Sequence, residues 1–288
     1  MNIRPYRSLL YIPGANNRAL EKAQSLSADA IIFDLEDAVA VSEKNIAREH
    51  VYGALNSINY NERSLLVRIN GLETNWWEED LSMAVKSKAH SVLIPKVNSG
   101  NDIRKIEQAM ESMLPNNKTN IWAMIETPDG VLNSRDISKT SRKMGGLVMG
   151  TNDLQKELNT RFVENRFPLL TSLSMCVLAA KSAGIACIDG VYNAFKDDKG
   201  LLLEAEQGKG LGFDGKTVIH PQQLLTVNSA FSPSYEEKEL YLRQIEAFDL
   251  AIKEGKGVAV LDGKIIENLH IETARKNLAL MDAIQRLG

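Results

Sequence analysis

Two runs decide the fold: Ile121-Trp122-Ala123-Met124-Ile125-Glu126 and Leu147-Val148-Met149-Gly150-Thr151-Asn152-Asp153. Each opens as a short, bounded apolar stretch, the pattern of a strand buried on both faces of a parallel sheet. Each releases a carboxylate just past the strand's C-terminal end. In a barrel of alternating strands and helices, that end carries the chemistry. Two hard oxygen ligands from neighbouring strands, with no Cys or His cluster nearby, suit Mg²⁺ with positions left open for substrate. Read alone, the same acids also fit loop positions or helix N-caps. The rest of the chain tips the balance toward a site.

Working outward, strand-like runs fall at 8–12, 30–35, 65–69, 91–95, 121–126, 146–150, 186–191 and 216–220. Helical patterns separate them at 18–27, 42–57, 76–87, 102–113, 129–140, 168–183 and 200–210, with another at 222–230. An eightfold strand–helix alternation predicts an α/β (β/α)8 TIM barrel. A doubly wound open sheet is the main rival. Ser232-Pro233-Ser234 breaks the pattern. Beyond it lie a charged helix at 235–254, short strand-like runs around Asp262-Gly263, and a final amphipathic helix at 271–287. Asp-Gly between apolar runs signals a hairpin. The expected domains are therefore a catalytic barrel over 1–231 and a C-terminal extension over 232–288. The extension reads either as a lid given to a neighbouring subunit or as a packed cap.

Composition sets limits. The chain has 288 residues, is 44% hydrophobic and 25% charged, and carries a formal net charge of -3, as an ordinary globular domain does. That balance argues against nucleic acid or a membrane surface as partner. The N-terminus leads into only about five apolar residues, too few for a signal or membrane segment. Cys176 and Cys187 lack a CxxC spacing and read as buried free thiols, so a reducing, cytoplasmic setting is expected.

The other strand ends are also rich in reactive groups. The first run leads into Pro13-Gly14-Ala15-Asn16-Asn17-Arg18, either a phosphate-cradling turn or a simple tight one. The second ends at Asp34-Leu35-Glu36-Asp37, a costly cluster of acids without a cation or an arginine. Arg68, inside an apolar run, needs an anionic partner: a substrate carboxylate, or one of those acids. Lys96 fits an ion pair with the same acids better than a Schiff base. His220 reads as a hydrogen-bonded residue; His50, His90 and His270 read as surface.

Taken in order, these segments resemble the citrate lyase beta-subunit-like family of acyl-CoA lyases, within the HpcH/HpaI aldolase superfamily. The matching stretches are Arg7-Ser8-Leu9-Leu10-Tyr11-Ile12-Pro13-Gly14, Phe33-Asp34-Leu35-Glu36-Asp37-Ala38-Val39, Val67-Arg68-Ile69-Asn70 and Leu93-Ile94-Pro95-Lys96. They continue with Ile125-Glu126-Thr127-Pro128-Asp129-Gly130, Gly150-Thr151-Asn152-Asp153-Leu154 and Gly212-Phe213-Asp214-Gly215-Lys216-Thr217-Val218-Ile219-His220-Pro221. The resemblance implies a TIM barrel with Mg²⁺ on Glu126 and Asp153, and with Arg68 at the substrate's carbonyl or carboxylate oxygens. It implies coenzyme A held by the turn of Pro13, Gly14, Asn16 and Arg18. It also implies a homo-oligomer, trimer or hexamer, whose C-terminal segment delivers an acid to a neighbour's site. That acid is an aspartate in much of the family; here Gly263-Lys264-Ile265-Ile266 is followed by Glu267.

The expected chemistry is Mg²⁺-dependent carbon–carbon cleavage of a 3-hydroxyacyl-CoA such as malyl-CoA or citramalyl-CoA. The products would be acetyl- or propionyl-CoA with glyoxylate or pyruvate. Arg68 would stabilise the enolate, and Glu267 would protonate it, with Asp37 or His270 the next candidates. The alternatives are a malyl-CoA-type thioesterase on the same scaffold and a citrate lyase beta subunit acting on a carrier-bound thioester.

Overall fold

In the computed structural model, which describes residues 4–161, 163 and 165–287, every predicted strand run contains a strand. They are β1 (Ser8–Pro13), β2 (Ala30–Asp34), β3 (Ser64–Arg68), β4 (Ser91–Ile94), β5 (Asn120–Ile125), β6 (Met144–Met149), β7 (Ala186–Asp189) and β8 (Gly215–Val218). All pair in parallel in chain order, and β1 closes on β8 through Ser8↔Lys216 and Leu10↔Val218. The fold is a (β/α)8 TIM barrel.

Strand periodicity explains why these runs are apolar throughout. Leu9, Ala30, Ile32, Leu66, Leu93, Trp122, Met124, Val148 and Ile188 form the barrel's interior core. Their strand neighbours, such as Leu10, Ile31, Phe33, Val67, Val92, Ile121 and Leu147, belong to the larger core that includes the surrounding helices. Trp122 is the largest fully buried side chain and fills the interior against Tyr6, ring centroids 5.1 Å apart. It has room because β6 presents glycine: a Cβ at Gly146 would meet the indole at 2.6 Å.

The helices differ from the sequence reading mainly at their ends. The segment predicted as one helix over 129–140 is two, Pro128–Leu132 and Ser134–Lys139, joined at Asn133 with φ -95° and ψ 6°. The helix after β1, α1 (Asn17–Ala23), stops earlier than predicted. A helix that periodicity did not reveal, Thr151–Glu157, follows β6 directly. Asp153 therefore stands in a helical first turn, where a carboxylate is favoured.

The chain divides into two compact units, and Tyr6–Phe231 is the barrel. The second unit contains the helix Tyr235–Lys253, capped by Ser234 and Glu237 in a reciprocal box, and the helix Asn268–Leu287. Between them Ala259–Leu261 and Lys264–Ile266 form an antiparallel hairpin. Asp262 and Gly263 turn it with φ of 50° and 74°, the left-handed pair that a tight hairpin requires. Phe248, Ala251, Ala259, Ile266 and Ile271 form this unit's own core. Among the described residues, no helix is long and apolar enough to cross a membrane.

Candidate active site

The strand C-termini enclose a cavity of about 550 Å³. Tyr11, Asp34, Asp37, Arg68, Glu126 and Asp153 line it, with Asn152, Asn193 and Thr217 on the β6 to β8 side. The barrel register brings the charged members together. Pro13 pairs with Asp34, and Asp34 with Arg68, so the acid and the base share one layer of the mouth.

Arg68 is held as a fork. Its Nε donates to Asp34 Oδ1 at 2.7 Å and its Nη2 to Asp34 Oδ2 at 2.6 Å. Its Nη1 lies 3.0 Å from Glu36 Oε2 and 3.4 Å from Asp37 Oδ2. The Glu36 contact is an ion pair without hydrogen-bond alignment, since Glu36 Oε2 lacks a hydrogen-bond partner. The guanidinium also lies over the Tyr11 ring, 4.9 Å from its centroid. Despite burial, these acids hold Arg68 protonated well above its ordinary range. Of the partners expected for Arg68, Asp34 is thus the principal one, and much of the guanidinium's donor capacity is already committed.

The acidic loop after β2 is fixed from below. Buried Lys44 donates to the carbonyls of Leu35 and Glu36, each at 2.7 Å, and Asn70 Nδ2 donates to the Leu35 carbonyl at 3.0 Å. Asp34 accepts from the Glu36 and Ala38 N–H groups. Lys96 reaches the same loop, with Nζ 3.1 Å from Glu36 Oε1; this is the expected ion pair. Lys96 has φ of 52°, a left-handed conformation uncommon for lysine, and its backbone N–H points at Glu126 Oε1, 2.8 Å away.

Glu126 is buried, and its second oxygen passes over Gly150, where a Cβ would collide with it. Burial first, then the charge of Glu36, pushes its carboxyl up to about 8; Asp153 adds to this and the Lys96 N–H opposes it. The mouth is therefore short of positive charge: among the described residues, the five acids Asp34, Glu36, Asp37, Glu126 and Asp153 outnumber Arg68, Lys96 and the Lys44 beneath the loop.

In the turn after β1, packing and helix capping account for two of the four residues expected at coenzyme A, Gly14 and Asn16. Pro13 lines the cavity. Gly14 donates to the Asp34 carbonyl at 2.8 Å, and a Cβ there would meet that oxygen at 2.9 Å. Its glycine identity follows from packing on β2. Asn16 caps the seven-residue α1 by accepting from the Ala19 N–H, and Arg18 is exposed. Glu267 is exposed in the second unit, immediately after the hairpin, with its N–H donating to His270 Nδ1. His220 caps the turn at Pro221–Gln223 and packs on Phe195, consistent with a structural histidine.

Asp189 ends β7, two residues short of the predicted run, but faces away from the cavity, because Ile188 holds the inward position. It pairs instead with Arg166 at 2.7 Å and Lys216 at 3.1 Å. Residues that sequence reasoning passed over include Tyr11, Lys44, Gly150 and the reciprocal amide pair of Asn152 and Asn193, at 2.8 and 3.2 Å. Only Gly150 left a readable trace, as a glycine between an apolar run and an acidic turn.

Residues 7–221 match the family model described as HpcH/HpaI aldolase/citrate lyase. The chain is 52% identical over 284 residues to a (3S)-malyl-CoA thioesterase of Cereibacter sphaeroides, covering 99% of this chain and 97% of that one. It is 35% identical to the citrate lyase subunit beta of Escherichia coli, covering 94% of this chain and 92% of that one. A solved citrate lyase beta subunit from M. tuberculosis, complexed with oxaloacetate and magnesium, superposes with a TM-score of 0.67 at 28% identity. That likeness covers 81% of this chain and all of that one. The chain belongs to the HpcH/HpaI aldolase/citrate lyase family.

Proposed function

We propose that this protein hydrolyses the thioester of a malyl-CoA-type substrate, with Mg²⁺ held by Glu126 and Asp153. The observation that carries the reading is the near-full-length likeness to (3S)-malyl-CoA thioesterases. The preference reverses the sequence reading, which led with carbon–carbon cleavage and kept hydrolysis as its alternative. The reversal has a chemical reason. Both reactions use a cation, a carbonyl-polarising donor and an acid or base, so motifs at the strand ends do not separate them.

The site suits a hard cation. Its donors are carboxylate oxygens, its charge is unbalanced toward the negative, and Glu126 is costly to ionise without a counter-charge. Among the described residues no third His, Cys, Asp or Glu completes a protein-only cage. Water and substrate would fill the remaining positions. When bound, Mg²⁺ supplies Lewis-acid polarisation of a substrate oxygen.

This chain's residues then have separate tasks. Gly150 and the Lys96 N–H fix the Glu126 carboxylate. Asp34 holds Arg68 at one azimuth, with its Nη1 edge toward the acids of the β2 loop. Asp37, whose side chain is 63% exposed at the cavity wall, is placed to take a proton from an attacking water. Glu267 is the acid we assign to a neighbouring subunit's site in a homo-oligomer. The anionic coenzyme A portion would enter past the turn of Pro13 to Arg18.

The test is product analysis with (3S)-malyl-CoA and Mg²⁺. Hydrolysis releases one equivalent of free thiol and leaves malate intact. Cleavage gives glyoxylate and acetyl-CoA with no thiol. Glyoxylate as the main product would return the assignment to lyase, the reading favoured by the citrate lyase beta relatives. Complementation tests the tail: mixed oligomers of Glu267→Ala and Glu126→Gln subunits regain activity only if the two residues act across an interface.

A further inference from the structure

The Tyr11 hydroxyl is buried and has no hydrogen-bond partner among the described residues. A buried donor left unpaired is unfavourable, so native structures seldom keep one without use. Tyr11 occupies the inward register of β1, paired with Ile32, and its ring lines the cavity beside Met124, Arg68 and Glu126. The face of the ring is pinned by the Arg68 guanidinium at 4.9 Å. Arg68 is in turn locked to Asp34, so the phenol has little freedom to find another acceptor. Burial opposes a phenolate, and the charges of Asp34, Glu126 and Glu36 oppose it further, although Arg68 favours it; the net direction is upward. The group is therefore a neutral O–H throughout the ordinary pH range.

The electrostatic setting points to its acceptor. An incoming hydroxyacyl thioester is anionic, and the mouth already holds more acids than bases. Arg68 is largely committed to Asp34, and the Lys96 ammonium to Glu36. Negative charge developing on a substrate oxygen needs a donor that is free before binding and brings no competing carboxylate. Tyr11 meets both conditions.

We propose that Tyr11 is a catalytic residue whose hydroxyl donates a hydrogen bond to the thioester carbonyl oxygen of the bound substrate. This rests on the thioester reading of the site. Its contribution grows as the carbonyl oxygen takes up charge on attack of water, and no covalent bond to Tyr11 forms.

Tyr11→Phe removes only the oxygen and keeps the ring on Arg68. Three measurements decide the matter: kcat for total malyl-CoA consumption, thermal stability, and calorimetric titration of the Mg²⁺-loaded protein with L-malate. Malate carries a carboxylate oxygen where the thioester carbonyl stands. The expected result is a fall in kcat on the order of 10²-fold, the usual loss for one such donor. KM should change far less, malate should bind at least about tenfold more weakly, and Tm should be unchanged or raised, since no hydrogen bond within the protein is lost. A hydroxyl that serves only packing or a trapped water leaves kcat and malate affinity within about twofold, and that result overturns the proposal. Wild-type protein that binds no malate overturns it too. If wild type makes glyoxylate instead of malate, the hydrolase reading fails; Tyr11 still stands if the variant shows both losses.

Discussion

Two buried charge clusters sit on the same barrel and have opposite character. Outside the barrel wall, Arg166 and Lys216 meet Asp189 and Glu204. Lys216 Nζ contacts Asp189 Oδ2 at 3.1 Å, Glu204 Oε1 at 2.7 Å and the Gly190 carbonyl at 2.5 Å. Arg166 spans Asp189, Gln207 and the Glu204 carbonyl. Two positive charges face two negative ones, and neither base lacks acceptors. Burial alone would raise the Asp189 carboxyl, yet Lys216 and Arg166 hold it below the usual carboxylate range. At the barrel mouth, five acids face three bases, Arg68, Lys96 and Lys44; one carboxyl is pushed up to about 8, and a phenol has no acceptor among the described residues. Balance marks a cluster finished by folding alone. Imbalance is what a cluster would show if a cation and a substrate complete it, as we propose for the mouth.

The contrast breaks most sharply at the two acids proposed to hold Mg²⁺. Glu126→Gln and Asp153→Asn should each lower turnover on the order of 10³-fold, the equivalent of several kcal/mol of lost charge stabilisation. The fold should survive, and metal-free Glu126→Gln should be at least as stable as wild type, because it deletes a carboxyl that burial disfavours. Steady-state kinetics paired with thermal melts reads both. Near-normal turnover, or a collapse of Tm, would place Glu126 with the structural cluster.

The reverse pattern is expected at Lys216. Lys216→Met leaves Asp189 and Glu204 buried with one partner fewer, which costs about 3–5 kcal/mol. Urea unfolding should show the loss, while each molecule that remains folded keeps its turnover. A stable but inactive Lys216→Met protein would mean that the outer cluster serves the reaction.

How far the sequence reached depended on whether a feature is local or relational. The strands were legible because inward and outward faces are both buried, so β2 and β5 read as unbroken apolar runs. Glu126 and Asp153 were legible because a carboxylate at the end of such a run is expensive. Asp189 stands in a comparable place at the end of β7, but its parity with Cys187 puts it on the outer face. The short helix carrying Asp153 has too few residues to show a period. The left-handed Lys96, the orphaned Tyr11 and the packing role of Gly14 exist only relative to other strands, and no linear pattern records them.

Arg68 tests the comparison with a smaller effect, because it belongs to the unbalanced cluster yet is itself well paired. Arg68→Lys keeps a positive charge but loses the two-toothed grip on Asp34. Turnover should fall about 10–100-fold, as for loss of one charge-assisted contact, and more than substrate binding does. A variant that instead loses stability, with normal turnover in the folded fraction, would make Arg68 a counterpart of Arg166.

The smallest and most diagnostic effect is the pH dependence of metal binding. Glu126 must ionise to hold Mg²⁺, and burial and the charge of Glu36 push its carboxyl in the metal-free protein up to about 8. Below that pH, binding displaces a proton, so apparent Mg²⁺ affinity should rise by up to about tenfold per pH unit from 6 to 8 and then flatten. Stability of the metal-free protein carries the opposite sign. Because burial raises the folded-state pKa from the ordinary 4.5 to about 8, the native state binds an extra proton between those two values. The Glu126 contribution is fully present below the lower value, declines between them and is lost once pH passes about 8. Mg²⁺ should offset the loss, and Glu126→Gln should lack it. Calorimetric titrations at pH 6, 7 and 8, with melts with and without metal, measure both arms. An Mg²⁺ affinity that does not vary over this range would mean that Glu126 is already ionised at pH 6. The mouth would then be as well compensated as the cluster around Asp189, and the distinction between the two would fail.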